Sequence, residues 1–163
     1  MPAGLVVNPA SGKDIRRLTG KASVFDNREK LAIVKRALAG AVSGGLSHLY
    51  YMDDAHGIAH TAIAESALPR SIKVERIPTP KTSSALDTLA AAEAFSRTDC
   101  NVVMTLGGDG TNRAFVKGWR DANLIPLSTG TNNVFPVLEE ATIAGMALGL
   151  MSQGKRSKSR FIQ

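Results

Sequence analysis

The sequence predicts an α/β domain of three layers, α/β/α, built on a mostly parallel sheet. Two patterns and one length carry that expectation. Short apolar runs alternate with segments of helical periodicity, many of ten residues or more, the pattern that gives parallel sheets covered on both faces. Several runs stop abruptly in polar turn residues, which in such folds gather at the C-terminal ends of the strands. The 163 residues suffice for one domain with a core of its own.

Taken in order, Leu5-Val6-Val7 reads as a first short strand, closed by the breaker-rich turn Asn8-Pro9-Ala10-Ser11-Gly12-Lys13. The segment to Asn27 has no clean period and reads as loop, with a short helix near residues 15–18 as the alternative. From Arg28, Leu31, Val34, Ala37, Leu38 and Val42 recur at helical spacing. Asp26 or Asn27 would cap that helix and Gly44-Gly45 would end it. Residues 48–52 form the second strand, Asp53-Asp54 its turn, and residues 55–67 a helix facing inward through Ile58, Ala62 and Ile63 until Pro69 stops it. Residues 72–77 alternate and give a third, less buried strand.

Thr82, Ser83 or Ser84 would cap the next helix, whose inward face reads as Leu86, Leu89, Ala90 and Phe95. The fourth strand, Val102 to Leu106, runs into Gly107-Gly108-Asp109-Gly110-Thr111, with a short helix after it over residues 112–119. Leu124-Ile125-Pro126-Leu127 is a fifth strand, and its internal proline implies an edge position or an irregular pairing. Ser128-Thr129-Gly130-Thr131-Asn132-Asn133 is another polar turn. A helix over residues 138–151 would point Ile143, Ala147 and Leu150 inward, with Gly145 and Gly149 weakening it.

Composition narrows the class. Hydrophobic residues make up 44% and charged residues 21%, ordinary for a globular chain. Aromatics at 5% predict an aliphatic core. No apolar run is long enough to span a membrane, and the start lacks the pattern of an export leader, so a cytoplasmic location is expected. The single cysteine, Cys100, excludes an internal disulfide framework. The net charge is +6. Lys155, Arg156, Lys158 and Arg160 supply most of it, in a segment that reads as a solvated tail or linker and makes nucleic-acid binding an unfavoured alternative.

Gly107 to Thr111 is the chemically informative stretch. A strand, a glycine turn and a helix N-terminus offer free N–H groups and a positive dipole end to an anion. Thr111 is a candidate cap. Asp109 is unexpected there, because a carboxylate repels phosphate unless a cation mediates or chemistry requires it. The alternative is a tight structural turn with Asp109 facing solvent. The stretch is neither a Walker A loop nor a dinucleotide fingerprint. At the end of the first strand, Asn8, Ser11, Gly12 and Lys13 form a second candidate phosphate contact, with Arg16 and Arg17 beyond. Thr129 to Asn133 offers hydroxyls and amides suited to a ribose or base. His56 and His60 sit four apart near Asp53 and Asp54, but the spacing is not a zinc pattern and no metal site is expected there.

Leu106-Gly107-Gly108-Asp109-Gly110-Thr111 resembles the glycine-rich motif shared by NAD kinases and the diacylglycerol and sphingosine lipid kinases, with a near relative in phosphofructokinases. Gly130-Thr131-Asn132-Asn133 resembles the Gly-Thr-Gly-Asn or Gly-Thr-Ala-Asn element of the lipid kinases. Asn8-Pro9-Ala10-Ser11-Gly12 resembles their Asn-Pro-x-Ser-Gly opening. With Thr129 to Pro136, the combination is most similar to ATP–NAD kinase-like proteins found with acetoin catabolism, and the resemblance spans essentially the whole chain.

The resemblance implies an NAD kinase-like N-terminal nucleotide-binding domain over residues 1–153, with 154–163 as a basic tail or the start of a linker. It implies ATP-dependent, Mg²⁺-assisted phosphoryl transfer to a hydroxyl of NAD or a related acceptor, and so a part in NADP biosynthesis. Asp109 would act through Mg²⁺ or as the base. Gly107, Gly108, Gly110 and Thr111 would line the nucleotide phosphates, with Asn8, Ser11, Gly12 and Lys13 beside them. Thr131 and Asn132 would hold the second edge of the cleft. Family kinases carry a second, β-rich domain, which these 163 residues do not contain, so the chain is expected to form half a cleft. A nucleotide, such a C-terminal domain and further copies of the chain are the expected partners, and a membrane is not. A non-catalytic nucleotide-binding domain and a lipid kinase domain are the alternatives.

Overall fold

The structure is a computed structural model that describes residues 1–11, 27–129 and 140–154. Five strands alternate with five helices: β1 (Ala3–Val7), α1 (Asn27–Ser43), β2 (His48–Met52), α2 (Ile58–Glu65), β3 (Lys73–Ile77), α3 (Ala85–Phe95), β4 (Val102–Gly107), α4 (Asp109–Gly118), β5 (Leu124–Ser128) and α5 (Ala141–Ser152). All four strand pairings are parallel, in the order β3-β2-β1-β4-β5. β1 and β4 are central and buried throughout. β3 lies at one edge and shows the partial burial its alternating sequence implies.

β5 lies at the other edge, as Pro126 requires. Val103 donates its N–H to the Asn123 carbonyl, so by alternation Pro126 belongs to the set whose backbone faces away from β4. Its missing N–H costs the ladder nothing and blunts the exposed edge.

The strands divide their side chains between two cores. Ala3, Leu5, Val7, Val102, Met104 and Leu106 meet α1, α2 and α5. Val6 and Val103 point the other way, to Phe95 of α3 and Phe115 of α4. The result is the three-layer arrangement. Gly4 is needed for it, because a Cβ there would stand 2.7 Å from the Phe95 ring.

Helix ends follow local chemistry. α1 closes with Gly45 at φ 88°, while Leu46 donates to the Ala41 carbonyl and Gly45 to that of Val42, a Schellman stop. The buried Asp54 carboxylate accepts the N–H groups of His56, Ile58 and Ala59, so α2 starts later than residue 55. Glu140 caps α5 by accepting from Thr142 and Ile143, and those N–H groups lower its pKa.

Two helix faces differ from the sequence expectation. Leu86 of α3 is 63% exposed, while Asp87 and Thr88 are buried in its place. In α5 the inward face is Ala141, Ala144, Gly145, Leu148, Gly149 and Ser152, and Ile143 and Leu150 point outward. The reason is how closely α1 and α5 approach. A Cβ on Gly145 would stand 1.9 Å from the Ala37 carbonyl oxygen, and one on Gly40 2.0 Å from that of Thr142. Gly44 and Gly149 are similarly tight. Two Gly-x-x-x-Gly pairs thus let the backbones touch, and larger residues are displaced to the outside. The glycines that seemed to weaken α5 determine its packing.

Gly145→Ala is expected to destabilise the domain by about 1–3 kcal/mol, despite the better helix propensity of alanine. Urea denaturation measures this, and an unchanged midpoint would refute the close contact.

Candidate functional site

The order of the strands creates the site. The chain runs outward from β1 to β2 and β3, then crosses to β4 on the other side of β1. The reversal lies between β1 and β4, where open α/β sheets bind ligands at their strand ends. Ala3 to Val7 pair residue for residue with Val102 to Leu106, so the turns after the two strands leave the sheet side by side.

The turns are joined directly. Asn8 donates its backbone N–H to the Leu106 carbonyl at 3.0 Å. Its side-chain amide donates to Thr111 Oγ1 at 2.9 Å, and its Oδ1 accepts the Ala10 N–H. Ser11 Oγ donates to the Asn8 carbonyl at 2.7 Å and lies 2.8 Å from Thr129 Oγ1, tying in the turn after β5. Thr111 is therefore not the α4 cap. The N-cap is Gly108, with no side-chain bond, and the helix starts at Asp109. Thr111 sits buried one turn in and receives Asn8. Gly107 admits it, because a Cβ there would stand 2.3 Å from Thr111 Oγ1.

A cleft of about 290 Å³ opens over this junction. It is lined by Asn8, Ser11, Gly108, Gly110 and Thr111, and on its far wall by Ser83 and Ser84 just before α3 and Thr88 within it. Gly110 has nothing within 4 Å of a built Cβ. Asp109, half-buried at the start of α4, instead lines an adjoining hollow on the other flank of that helix. Of the candidates named from sequence, Asn8, Ser11, Gly108, Gly110 and Thr111 come together in the cleft. Gly107 supports it from β4, and Asp109 stands at its border. Gly12, Lys13, Thr131 and Asn132 lie outside the described residues, as do Arg16, Arg17, the alternative helix at 15–18 and the tail from 155.

Two supporting groups escaped the sequence reading. Lys30 of α1 is fully buried and donates to the carbonyls of Pro9 at 2.6 Å and Ser11 at 2.7 Å. A lysine ammonium out of water needs such acceptors, and here it fixes the turn after β1 from behind. Its sequence signal was its phase, three and four residues ahead of the buried Ile33 and Val34. The second group is Asp87, which accepts the backbone N–H groups of Thr82 and Ser83 and the Thr82 hydroxyl. This holds the Ser83-Ser84 wall, with Ser83 at φ 58°. Ser84 caps α3 by accepting the Leu86 N–H.

Chemically, the cleft offers hydroxyls, an amide and the N-termini of two helices, a donor set that suits phosphate oxygens. Two of the three histidines are paired elsewhere: His48 with Glu75 at 2.6 Å and His60 with the Tyr51 hydroxyl at 3.0 Å. Among the described residues no group of three or more histidine, cysteine or acidic side chains is placed to hold a metal ion. Cys100 is buried, and desolvation pushes its thiol up to about 12, so it is no nucleophile at neutral pH. No helix among the described residues is long and apolar enough to cross a membrane.

Comparison with known proteins agrees with this geometry. The family model for the ATP-NAD kinase N-terminal domain matches residues 4–155. Acetoin catabolism protein X of Cupriavidus necator is 35% identical over 160 residues, covering 93% of this chain and 44% of the relative. The chain thus spans less than half the length of that relative. No solved structure matches significantly.

Two variants test the cleft. Lys30→Met is expected to cost about 2–4 kcal/mol, since the carbonyls of Pro9 and Ser11 lose their buried donor. Chemical denaturation reads this. Gly110→Ala is expected to raise stability by about 0.5–1 kcal/mol, because its helical position has room for a methyl, and to weaken binding of a nucleoside triphosphate by filling the approach. A thermal melt and a calorimetric titration separate the two effects.

Proposed function

Since the chain belongs to the ATP-NAD kinase N-terminal domain family, we propose that it is the nucleotide-binding half of a kinase. In this reading it moves the terminal phosphoryl group of ATP to a hydroxyl of NAD or a related acceptor, in the cytoplasm and toward NADP. The observation that carries the reading is the Asn8–Thr111 junction, which joins two strand-end turns under a hydroxyl-lined cleft with a carboxylate at its border.

The residues present fit a triphosphate. Thr111, Ser11 and the open backbone at Gly108 and Gly110 would hold phosphate oxygens, and Ser83, Ser84 and Thr88 would close the opposite wall. The N-termini of α3 and α4 add fixed positive potential. Asp109, the border carboxylate, would hold Mg²⁺, which would offset the charge on the phosphate oxygens. In the transfer, a bond forms between the acceptor oxygen and the γ-phosphorus, and the bond from that phosphorus to the bridging oxygen of ADP breaks. The acceptor proton passes to Asp109 if that carboxylate does not hold Mg²⁺, and otherwise to water. Catalysis of this kind is mostly positioning and charge compensation, which explains an investment in rigid turns: Lys30, Asp87 and Asn8 fix the walls before a ligand arrives.

The relative's name places that protein in acetoin catabolism, and we extend the same metabolic setting to this chain. A second reading, a nucleotide-sensing domain without turnover, draws support from Asp109 lining the adjoining hollow and not the cleft itself.

Asp109→Asn separates the readings. Phosphoryl transfer, followed as NADP formed from ATP, Mg²⁺ and NAD, is expected to fall by about 10²–10⁴-fold, with ATP binding retained in calorimetry. Retained turnover in the variant would overturn the role of Asp109. Turnover absent from the wild-type chain, with ATP bound, would favour the sensing domain.

A further inference from the structure

Ser11, Ser83, Ser84, Thr88 and Thr111 are the hydroxyl-bearing residues that line the cleft. All but Ser83 are committed. Ser11 Oγ donates to the Asn8 carbonyl and pairs with Thr129, Thr111 Oγ1 receives the Asn8 amide, and Ser84 Oγ accepts the Leu86 N–H. Thr88, 2% exposed, is packed within α3 and has no room for an added group. Ser83 is exposed, and its hydroxyl has no hydrogen bond among the described residues. Its backbone is also unusual. At φ 58° it shares the left-handed region, among the described residues other than glycine, with Ala67 alone. Asp87 holds it there by accepting the N–H groups of Thr82 and Ser83 and the Thr82 hydroxyl. Strain kept in place by its surroundings gathers where a side chain must stand at one position.

We infer that Ser83 is a phosphoryl acceptor within the chain: the protein phosphorylates itself at this hydroxyl, and the phosphoserine then occupies the cleft. The inference rests on the nucleotide-binding reading above and adds a modification site to it. At about 290 Å³, the cleft is at the small end of ligand sites. A triphosphate held by Thr111, Ser11 and the backbone at Gly108 and Gly110 therefore also lies against the opposite wall, which contains Ser83. In the transfer, Ser83 Oγ forms a bond to the γ-phosphorus of the bound nucleoside triphosphate. The bond from that phosphorus to the β–γ bridging oxygen breaks, and the nucleoside diphosphate leaves with the electron pair. The hydroxyl proton passes to solvent water, which the exposed position admits. Ser83 immediately precedes the Ser84 N-cap, so its phosphate lies at the N-terminus of α3 and across from that of α4, where the helix dipoles offset its charge. The Asp87 carboxylate, engaged with the N–H groups behind the turn, repels the phosphate toward the cleft. There it repels the phosphates of a second nucleotide, so the modification limits further turnover.

The test incubates the phosphatase-treated chain with ATP and Mg²⁺ and follows its intact mass and tandem mass spectra. NADP formation from added NAD is measured in parallel, and binding of a non-hydrolysable ATP analogue is measured by calorimetry. A gain of about 80 Da on Ser83 is expected, with a rate constant that stays the same over about a tenfold range of protein concentration. Ser83→Ala is expected to take up no phosphate, and the tandem spectra of the wild type assign the site even if that variant unfolds. The modified chain is expected to bind the analogue at least about tenfold more weakly than the unmodified chain. Phosphate on Thr82, Ser84 or any other residue in place of Ser83 would overturn the inference. So would a rate constant that rises with protein concentration, or an analogue affinity unchanged by the modification. NADP formed without phosphate on Ser83 would sink the inference and leave the kinase reading standing. Phosphate on Ser83 without NADP would support the inference and count against NAD as the acceptor. Neither product, with the analogue bound, would overturn the inference and favour the sensing domain, and an analogue that does not bind would count against both.

Discussion

Five residues of β1 run beside five of β4, from Ala3 opposite Val102 to Val7 opposite Leu106, and this register decides what meets at the strand ends. Asn8 emerges beside Leu106 and Gly107, within reach of Thr111 one helical turn further on. In a parallel sheet a slip of one residue would turn every side chain to the wrong face and separate Asn8 from Thr111. Both strands are buried on both faces, so the register is held by two cores at once. The site inherits its precision from that double burial.

Buried polar groups then stiffen the turns that the register delivers. Lys30 gathers the carbonyls behind the first turn, and Asn112 accepts the Thr105 hydroxyl at 2.6 Å while donating to the Gly108 carbonyl at 3.1 Å. Asp87 and Asp54 anchor the starts of α3 and α2 through backbone N–H groups. Each would be costly if left unpaired, so each penalises any other loop conformation. The cleft is thereby preorganised for a ligand that offers mainly charge. Ordering costs met during folding do not have to be met again on binding.

The layers on the two faces solve packing differently. α3 and α4 meet the sheet through Phe95 and Phe115, whose ring centroids are 6.2 Å apart. α1 and α5 instead meet backbone to backbone through Gly40, Gly44, Gly145 and Gly149. Close approach maximises dispersion contact where side chains are absent, but it sends Ile143, Met146 and Leu150 to the outer surface. Hydrophobic residues on α5 therefore report where the partner helix leaves no room, as well as where the core lies.

Sequence alone determined the alternation of strands and helices, the lesser burial of the third strand and the gathering of polar turns at one end of the sheet, because these follow from short-range periodicity and from what proline and glycine permit. It also selected Asn8, Ser11, Gly108, Gly110 and Thr111, since breaker-rich polar turns after apolar runs are a local signal. The tertiary structure alone decided which faces of α3 and α5 turn inward, because glycine–glycine contact and buried carboxylate caps override a simple count of apolar residues. It also decided that Thr111 serves Asn8 instead of capping α4, and that Ser83, Ser84 and Thr88 face the turn after β4 across the cleft. Those pairings join residues far apart in the chain, such as Asn8 and Thr111, separated by 103 positions. No local pattern carries such a distance. The packing of β1 against β4, and of α3 against α4, brings these residues together.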